Sequence, residues 1–585
     1  MSNPTSERQA SRQEPAKGST GPTGERQLSR KGLAKGSIGL IGAVAIGISC
    51  IAPDYTLTAT LGTATNTVQQ WTPSIVWLGL IPMLFVALGY RELNRAIPDS
   101  GTSFTWGARA IGPRFGWLTG WGLIASTIVV LASLAQIAVV FFYETIDWVV
   151  RLVAGSETFS LADLNTNSVW FNVVSVVAFT AGATWMVYRD LKLTARFQYV
   201  MVAFQLLAVF AFAVVAVVRQ VTGAGSGAGL DFSWDWFNPI SVITNGDLGV
   251  GALISGLTVA VFIYWGWDVV LTITEETKDS QRTPGKAASF TIVLITVYYL
   301  FISTACIMFA GVGDGPLGLN GPAIQEGENV FAVLAAPVLG SVGSILVFLA
   351  VLSSSVASLE STFVSPARTM LAMGHYGALP KAFAKTSRFA TPGTATIVAG
   401  VVAAGYYAVM RPLSESVLAD TVNTTAIFIC FYYGLTSFAA VWYFRRQWFK
   451  SVRNCLLQLV CPGLGGLFLA FMFAHELFAA PWISGGVAAF SPDYGSGSSV
   501  GGVGLVFVLS ILILLLGLGL MIWNNLKHRR FFDRATTTIP VAAGRGDGLD
   551  RHFQALTDEA LDAAEAGQDF AWPQPSPPDR SDQSV

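Results

Sequence analysis

Between Val261 and Lys286 the chain reads VFIYWGWDVVLTITEETKDSQRTPGK, a stretch that can do chemistry inside a lipid bilayer. Gly266 interrupts an apolar helix, and Asp268 sets a carboxylate two residues further on, still within the apolar run. An aspartate at the centre of a spanning helix costs about 2.5–3.5 kcal/mol on insertion scales, so it is expected to face a bundle interior or a wet cavity. Beside it, Tyr264 and Trp265 offer ring faces that hold an ammonium by cation–π contact, worth about 0.5–2 kcal/mol. A second interruption lies upstream in GLIGAVAIGISCIAPDYTLTATLG, where Gly47, Ser49 and Pro53 fall near mid-span and Asp54 follows. Two readings of Asp54 stand side by side. It is an ordinary acid in the first turn after a helix-starting proline, or a group that attracts an amine or carries a proton. Broken helices bare backbone N–H and C=O groups, and a bound solute can satisfy them.

The elements that must hold these residues are membrane spans. The sequence is 52% hydrophobic and 12% charged, where soluble domains are about a quarter charged. Twelve apolar runs of spanning length are expected, at about 38–62, 73–90, 115–143, 168–188, 198–219, 249–274, 288–312, 333–358, 393–410, 418–444, 456–480 and 502–525. Lysine and arginine sort by loop. Eighteen of the 35 fall in the loops after the even-numbered runs and only Arg151, Arg219 and Arg411 in the opposite loops, which predicts that both tails are cytoplasmic. The predicted organisation is a disordered cytoplasmic arm over 1–36, a twelve-helix membrane domain over 37–526 and a cytoplasmic tail over 527–585. In that tail the run Lys527 to Arg530 suits anionic lipid head groups, and Leu549, Phe553, Leu556 and Ala560 recur at helical spacing.

Several function classes drop out. The net charge of -1 gives no reason to invoke nucleic acid, and the five cysteines contain no CxxC pair. No metal-ligand spacing, nucleophile motif or phosphate loop is present in the sequence, so neither an enzyme nor a cofactor is expected.

Three blocks then carry a resemblance: FIYWGWDVVLTITEETKDSQRTPGKA, YRELNRAIPDSGTSFTWGARAIGPRFGWLTGW and SPARTMLAMGHYGALPKAF. In that order they resemble the amino acid-polyamine-organocation permease superfamily, over roughly residues 37–450. The resemblance implies an all-α integral membrane protein with a five-plus-five inverted repeat of the leucine-transporter type. Repeat one would span 37–220 and repeat two 248–445, with helices 1 and 6 discontinuous and two additional helices over 455–526. It implies secondary transport of amino acids or, alternatively, of polyamines and other organic amines, with a co-transported proton or sodium ion, or exchange. A membrane nutrient sensor with the same fold, signalling through the 527–585 tail, is the other reading.

Carried onto this sequence, Gly47, Ile48 and Ser49, with Cys50 adjoining, stand where the family binds a substrate carboxylate through backbone N–H groups. Phe262, Tyr264, Trp265 and Gly266 match the aromatic break of helix 6, and Asp268 the acidic position after it. Gln205 stands where many proton-coupled relatives carry a lysine. Ser354, Ser355 and Ser358 are hydroxyls of the kind that coordinate sodium in other relatives, or small residues at helix contacts. Tyr432 is placed as a lid or a packing aromatic. Glu275 and Glu276 are solvated charges or a cytoplasmic latch paired with Arg91 or Arg196.

Overall fold

In the computed structural model, the described residues run from 29 to 532, except 30, 32, 34–35, 37, 155–159, 190–194, 326–328, 390, 415, 479–488, 490, 492–497, 501 and 528–530. The amphipathic pattern at 549–560 lies outside them, as do the side chain of Arg196 and most of the basic run after Lys527. The architecture is helical, with one two-stranded ladder of β1 (Ser499–Val500) and β2 (Val503–Gly504) among the described residues.

The helices in chain order are α1 (Leu40–Ile51), α2 (Pro53–Val68), α3 (Thr72–Ala96), α4 (Thr102–Ala110), α5 (Pro113–Ala154), α6 (Leu161–Asn167) and α7 (Val169–Tyr188). Then come α8 (Ala195–Val221), α9 (Pro239–Thr244), α10 (Gly249–Ile263), α11 (Val269–Thr272), α12 (Thr283–Ala310), α13 (Pro322–Gln325) and α14 (Val330–His375). The chain closes with α15 (Gly393–Leu413), α16 (Val417–Tyr443), α17 (Val452–Cys455), α18 (Cys461–Phe478) and α19 (Leu505–Lys527).

Ten of the described segments are long and apolar enough to cross a bilayer, and Gly249–Ile263 is a shorter apolar helix. The first segment, Leu40–Ala96, has 57 residues, far more than the ~20 that one crossing needs. It divides at Ala52 and again at Gln69, two non-glycine residues held at positive φ. Each expected apolar run therefore contains at least one helix.

Packing follows from which faces are apolar throughout. Helices α5, α14 and α16 form the centre, with α14 lying against both α5 and α8. The outward faces of α7, α8, α15, α18 and α19 expose Trp185, Leu207, Val401, Leu467 and Leu515, as a lipid-facing surface requires. Cys50, Cys306 and Cys430 are buried free thiols, and Cys455 and Cys461 are half-buried. The stretch expected to be a disordered arm is not wholly so, since Lys31 and Leu33 are buried against the helical body.

Candidate functional site

Helix α1 does not break at Gly47–Ser49, which are helical, but one turn later at Ala52 (φ 49°, ψ 67°). The cause is Pro53. It has no N–H to continue α1 and its fixed φ suits the first position of a new helix, so the chain restarts there as α2. Helix α10 ends at Ile263, the chain turns through 264–268, and α11 resumes at Val269. The turn needs a glycine at Gly266, where φ is 105°. A Cβ there would lie 3.1 Å from the carbonyl carbon of Cys50 and 3.1 Å from the amide nitrogen of Ile51. The two breaks thus touch, backbone to backbone.

Two of the carbonyls bared at the end of α1 are already satisfied by the protein. Cys50 O accepts from Ser358 Oγ at 2.9 Å and Ile51 O from Thr56 Oγ1 at 2.7 Å. Next to them is a cavity of about 10 Å³, at the lower limit for one water molecule, lined by Cys50, Tyr55, Thr56, Phe262, Trp265 and Ser358, among others. Of the residues expected at the site, Cys50, Phe262, Trp265 and Ser358 are brought together here. Gly47 instead faces Thr291 and Val270, Ile48 is packed in the core, and Ser49 meets Ser361 at 3.4 Å. Tyr264 points away to Val76 O at 2.7 Å. Sequence reasoning missed Ile51, Tyr55, Thr56, Val130 and Leu134 of the lining. The helical spacing of Val130 and Leu134 was the available signal, but it does not distinguish a cavity face from any other buried face.

Asp268 is buried, with both carboxylate oxygens held by phenols. Tyr432 donates to Oδ2 at 3.1 Å and Tyr433 to Oδ1 at 2.9 Å. Trp265 Nε1 donates to the Tyr432 oxygen at 3.0 Å, so Tyr432 links the cavity wall to the buried acid. Tyr90 packs edge-on against Trp267 and Tyr433 behind this pair.

Asp54 stands in the first turn of α2 after the helix-starting Pro53, as the first of its two readings has it, although its side chain makes no capping bond. Its Oδ1 accepts from Tyr298 OH at 2.7 Å, while Oδ2 is buried without a partner among the described residues. Tyr298 also reaches Leu206 O at 3.5 Å, which places Asp54 near the middle of α8. There Gln205 is fully buried, and among the described residues neither of its amide atoms nor the hydroxyls of Ser354 and Ser355 on α14 have hydrogen-bond partners.

On one face of the bundle, called here the latch face, the acidic loop after α11 is locked. Lys31 Nζ lies 2.7 Å from Asp99 Oδ2, 2.7 Å from Glu275 Oε1 and 3.1 Å from Ser100 Oγ. Arg368 Nη2 donates to both carboxylate oxygens of Glu276, at 2.6 and 2.9 Å. The partners are therefore Lys31 and Arg368 rather than Arg91, which lies 3.9 Å from Glu92. Burial works against charge on Lys31 and Asp99, yet attraction to the facing carboxylates raises Lys31 above the usual lysine value. The same attraction, with hydrogen bonds from Lys31, Tyr376 and Gly101, lowers Asp99 below the usual carboxylate value. Ile38 N donates to Glu276 O at 3.0 Å and Lys278 N to Ile38 O at 2.8 Å, a parallel bridge that joins the chain before α1 to the loop after α11.

On the opposite face a chamber of about 370 Å³ opens between α2, α10, α13, α16 and the end of α18. Its lining on α2 and α10 includes Thr58 and Val259, about one turn from the small cavity's Tyr55 and Phe262.

The amino acid permease family profile matches residues 38–490. The chain is 24% identical over 449 residues to the low-affinity putrescine importer PlaP of Escherichia coli K12, covering 74% of this chain and 87% of that protein. It is 25% identical over 403 residues to the branched-chain amino acid permease BcaP of Bacillus subtilis, covering 67% and 78%. The fold is that of MhsT solved with L-phenylalanine, at TM-score 0.51 and 14% identity, covering 77% of this chain and 99% of that one. A mutant manganese transporter of Eremococcus coleocola shares it at TM-score 0.51 and 13% identity, covering 86% and 100%. With its paired helix breaks, its leucine-transporter-type fold and a match over most of its length, the chain belongs to the amino acid permease family.

Proposed function

We propose that this permease is a secondary transporter that moves amino acids or organic amines across the cytoplasmic membrane by alternating access. It would make twelve crossings, as two five-helix repeats plus two further helices, with both tails inside. The observation that carries the reading is one-sided access to the joined helix breaks. The latch face is tied by ion pairs and a backbone bridge, while a 370 Å³ chamber approaches the breaks from the other face. Such a shape is the outward-facing half of a transport cycle, with the latch face in the cytoplasm.

In this reading the solute enters between Cys50, Phe262, Trp265 and Ser358, and the small cavity there widens as α10 shifts. Trp265 supplies an aromatic face for an amino group, and Tyr432 and Tyr433 hold Asp268 as a fixed negative charge behind it. Asp54 is the coupling group: it is a buried carboxylate with one bare oxygen beside Tyr298, suited to a proton or a sodium ion. Gln205 cannot titrate, whereas Asp54, reached from α8 through Tyr298, can. The likeness to a putrescine importer supports the amine branch and the likeness to a branched-chain amino acid permease the other.

The test is reconstitution of the full chain in liposomes, with uptake of radiolabelled leucine and putrescine under imposed proton and sodium gradients. Accumulation of one of them above equilibrium upholds the reading. Movement of neither, under either gradient or by exchange, overturns it.

A further inference from the structure

The chamber has a chemistry of its own, distinct from that of the joined breaks. Its walls carry hydroxyl and amide groups, among them Thr58, Asn66, Ser255, Thr258 and Asn423, and among the described residues its one ionisable side chain is the carboxylate of Glu476. No Lys, Arg or His among the described residues lines it. The sequence holds no Lys or Arg at all between Arg453 and Lys527. The cations nearest in sequence to this face are spent elsewhere: Arg219 bonds the carbonyls of Pro337 and Val338, and Arg411 reaches Thr166 O. Glu476 is itself only 3% exposed, and it is positioned by Thr258 Oγ1 at 2.5 Å and His475 Nδ1 at 3.4 Å.

A buried carboxylate in a polar cleft with low-dielectric walls focuses a negative potential into that cleft. We infer that the chamber is a first docking site for organic ammonium ions, with Glu476 as the anchoring charge, Thr258 as the residue that orients it, and the wall hydroxyls replacing the solute's water. An alkyl diamine fits this description. A free carboxylate would face Glu476 with no basic side chain to receive it. A zwitterionic amino acid gains less, because its own carboxylate offsets the attraction. The chamber would therefore sort solutes by charge before they meet Trp265. This rests on the transport reading above, and the experiment is arranged so that the two fail separately.

Initial uptake of radiolabelled putrescine and leucine is measured in liposomes for the full-length chain and for Glu476→Gln, Glu476→Asp and Thr258→Val. Loss of a charge-assisted contact is expected to raise the putrescine KM about tenfold in Glu476→Gln, with kcat and the leucine KM within about twofold. Glu476→Asp should keep most of the preference. Raising salt from about 50 to about 500 mM should weaken putrescine uptake by the unaltered chain and leave the Gln variant nearly unaffected. Equal losses for both solutes, or no change for putrescine, overturn the proposal. Should Glu476→Gln fail to fold, Glu476→Asp and Thr258→Val carry the same comparison, and a putrescine KM unmoved by Thr258→Val overturns the orienting role. If the unaltered chain does not transport putrescine, its equilibrium binding to the detergent-solubilised protein decides. Binding that Glu476→Gln weakens upholds the docking site even though transport fails, and no binding overturns it.

Discussion

Replacing Lys31 by methionine removes the cation shared by the buried carboxylate of Asp99 and the half-buried one of Glu275. The ammonium lies 2.7 Å from an oxygen of Asp99 and 2.7 Å from one of Glu275, with Lys31 and Asp99 side chains 4% and 8% exposed. At an effective dielectric of about 20 each contact is worth about 6 kcal/mol before desolvation is subtracted. Removing one partner of a buried pair typically costs about 3–5 kcal/mol, because the remaining charge stays buried and unpaired. If that cost falls on the latched state alone, the ratio of latched to open molecules drops by about two to three and a half powers of ten. Cys50 reports the change, since it lines the small cavity and is 2% exposed. In a chain that keeps only Cys50 of its five cysteines, a membrane-impermeant thiol reagent added at the latch face should label Lys31→Met at least a hundredfold faster. Adding Asp99→Asn and Glu275→Gln to Lys31→Met should recover much of the protection, because the cost comes from stranded carboxylates. An unchanged labelling rate at the latch face in a folded protein would refute this account. So would an equal rise when the reagent is applied from the chamber.

The same latch has a pH window whose sign follows from its two shifts. Asp99 is lowered, so its contribution is full above the ordinary carboxylate value and is lost as pH falls towards its own; Lys31 is raised, so its contribution is full below the ordinary lysine value and fades as pH climbs past it. Expressed as a ratio to the rate in Lys31→Met at the same pH, which cancels the thiolate's own titration, latch-face labelling of Cys50 should stay low and flat from about pH 5 to about pH 10 and rise outside that range. Gly266→Ala should cost about 1–3 kcal/mol from its positive φ and from the 3.1 Å approach to Cys50, seen as a loss of uptake with normal membrane insertion. Trp265→Ala should raise the KM for the transported solute about tenfold and leave Tyr432 without its indole donor; unchanged kinetics would move the site elsewhere. Asp54→Asn should abolish gradient-driven accumulation while exchange of internal for external solute continues, and retention of both in the same vesicles would remove Asp54 from the coupling path.

The spans and the existence of both breaks were legible because each depends on local chemistry. Long apolar runs have no other use, and Gly266 and Pro53 are residues whose backbone demands are fixed by their own covalent structure. The position of the first break was less so. Gly47 and Ser49 are as compatible with a helix as with its interruption, and it was Pro53 that moved the break to Ala52. The choice of latch partners was illegible for a different reason. Lys31 sits 68 residues from Asp99 and 244 from Glu275, and one of seven basic residues in the polar N-terminal stretch carries no mark of burial. Asp268 could be flagged as costly in lipid, but its two phenol donors come from Tyr432 and Tyr433, more than 160 residues away. The sequence reading placed Tyr432 as a lid or packing residue. The structure makes it a link, with one oxygen bonded to both indole and carboxylate.

The parallel bridge between Ile38 and Thr277 sets how the latch face would have to come apart. Side-chain pairs can exchange partners with water one at a time, but Ile38 is stitched to its neighbour by its own N–H and C=O, directly ahead of α1. A tilt of α1 would load that stitch, and two backbone hydrogen bonds would have to break together before α1 could move, as a seam holds until its thread is cut.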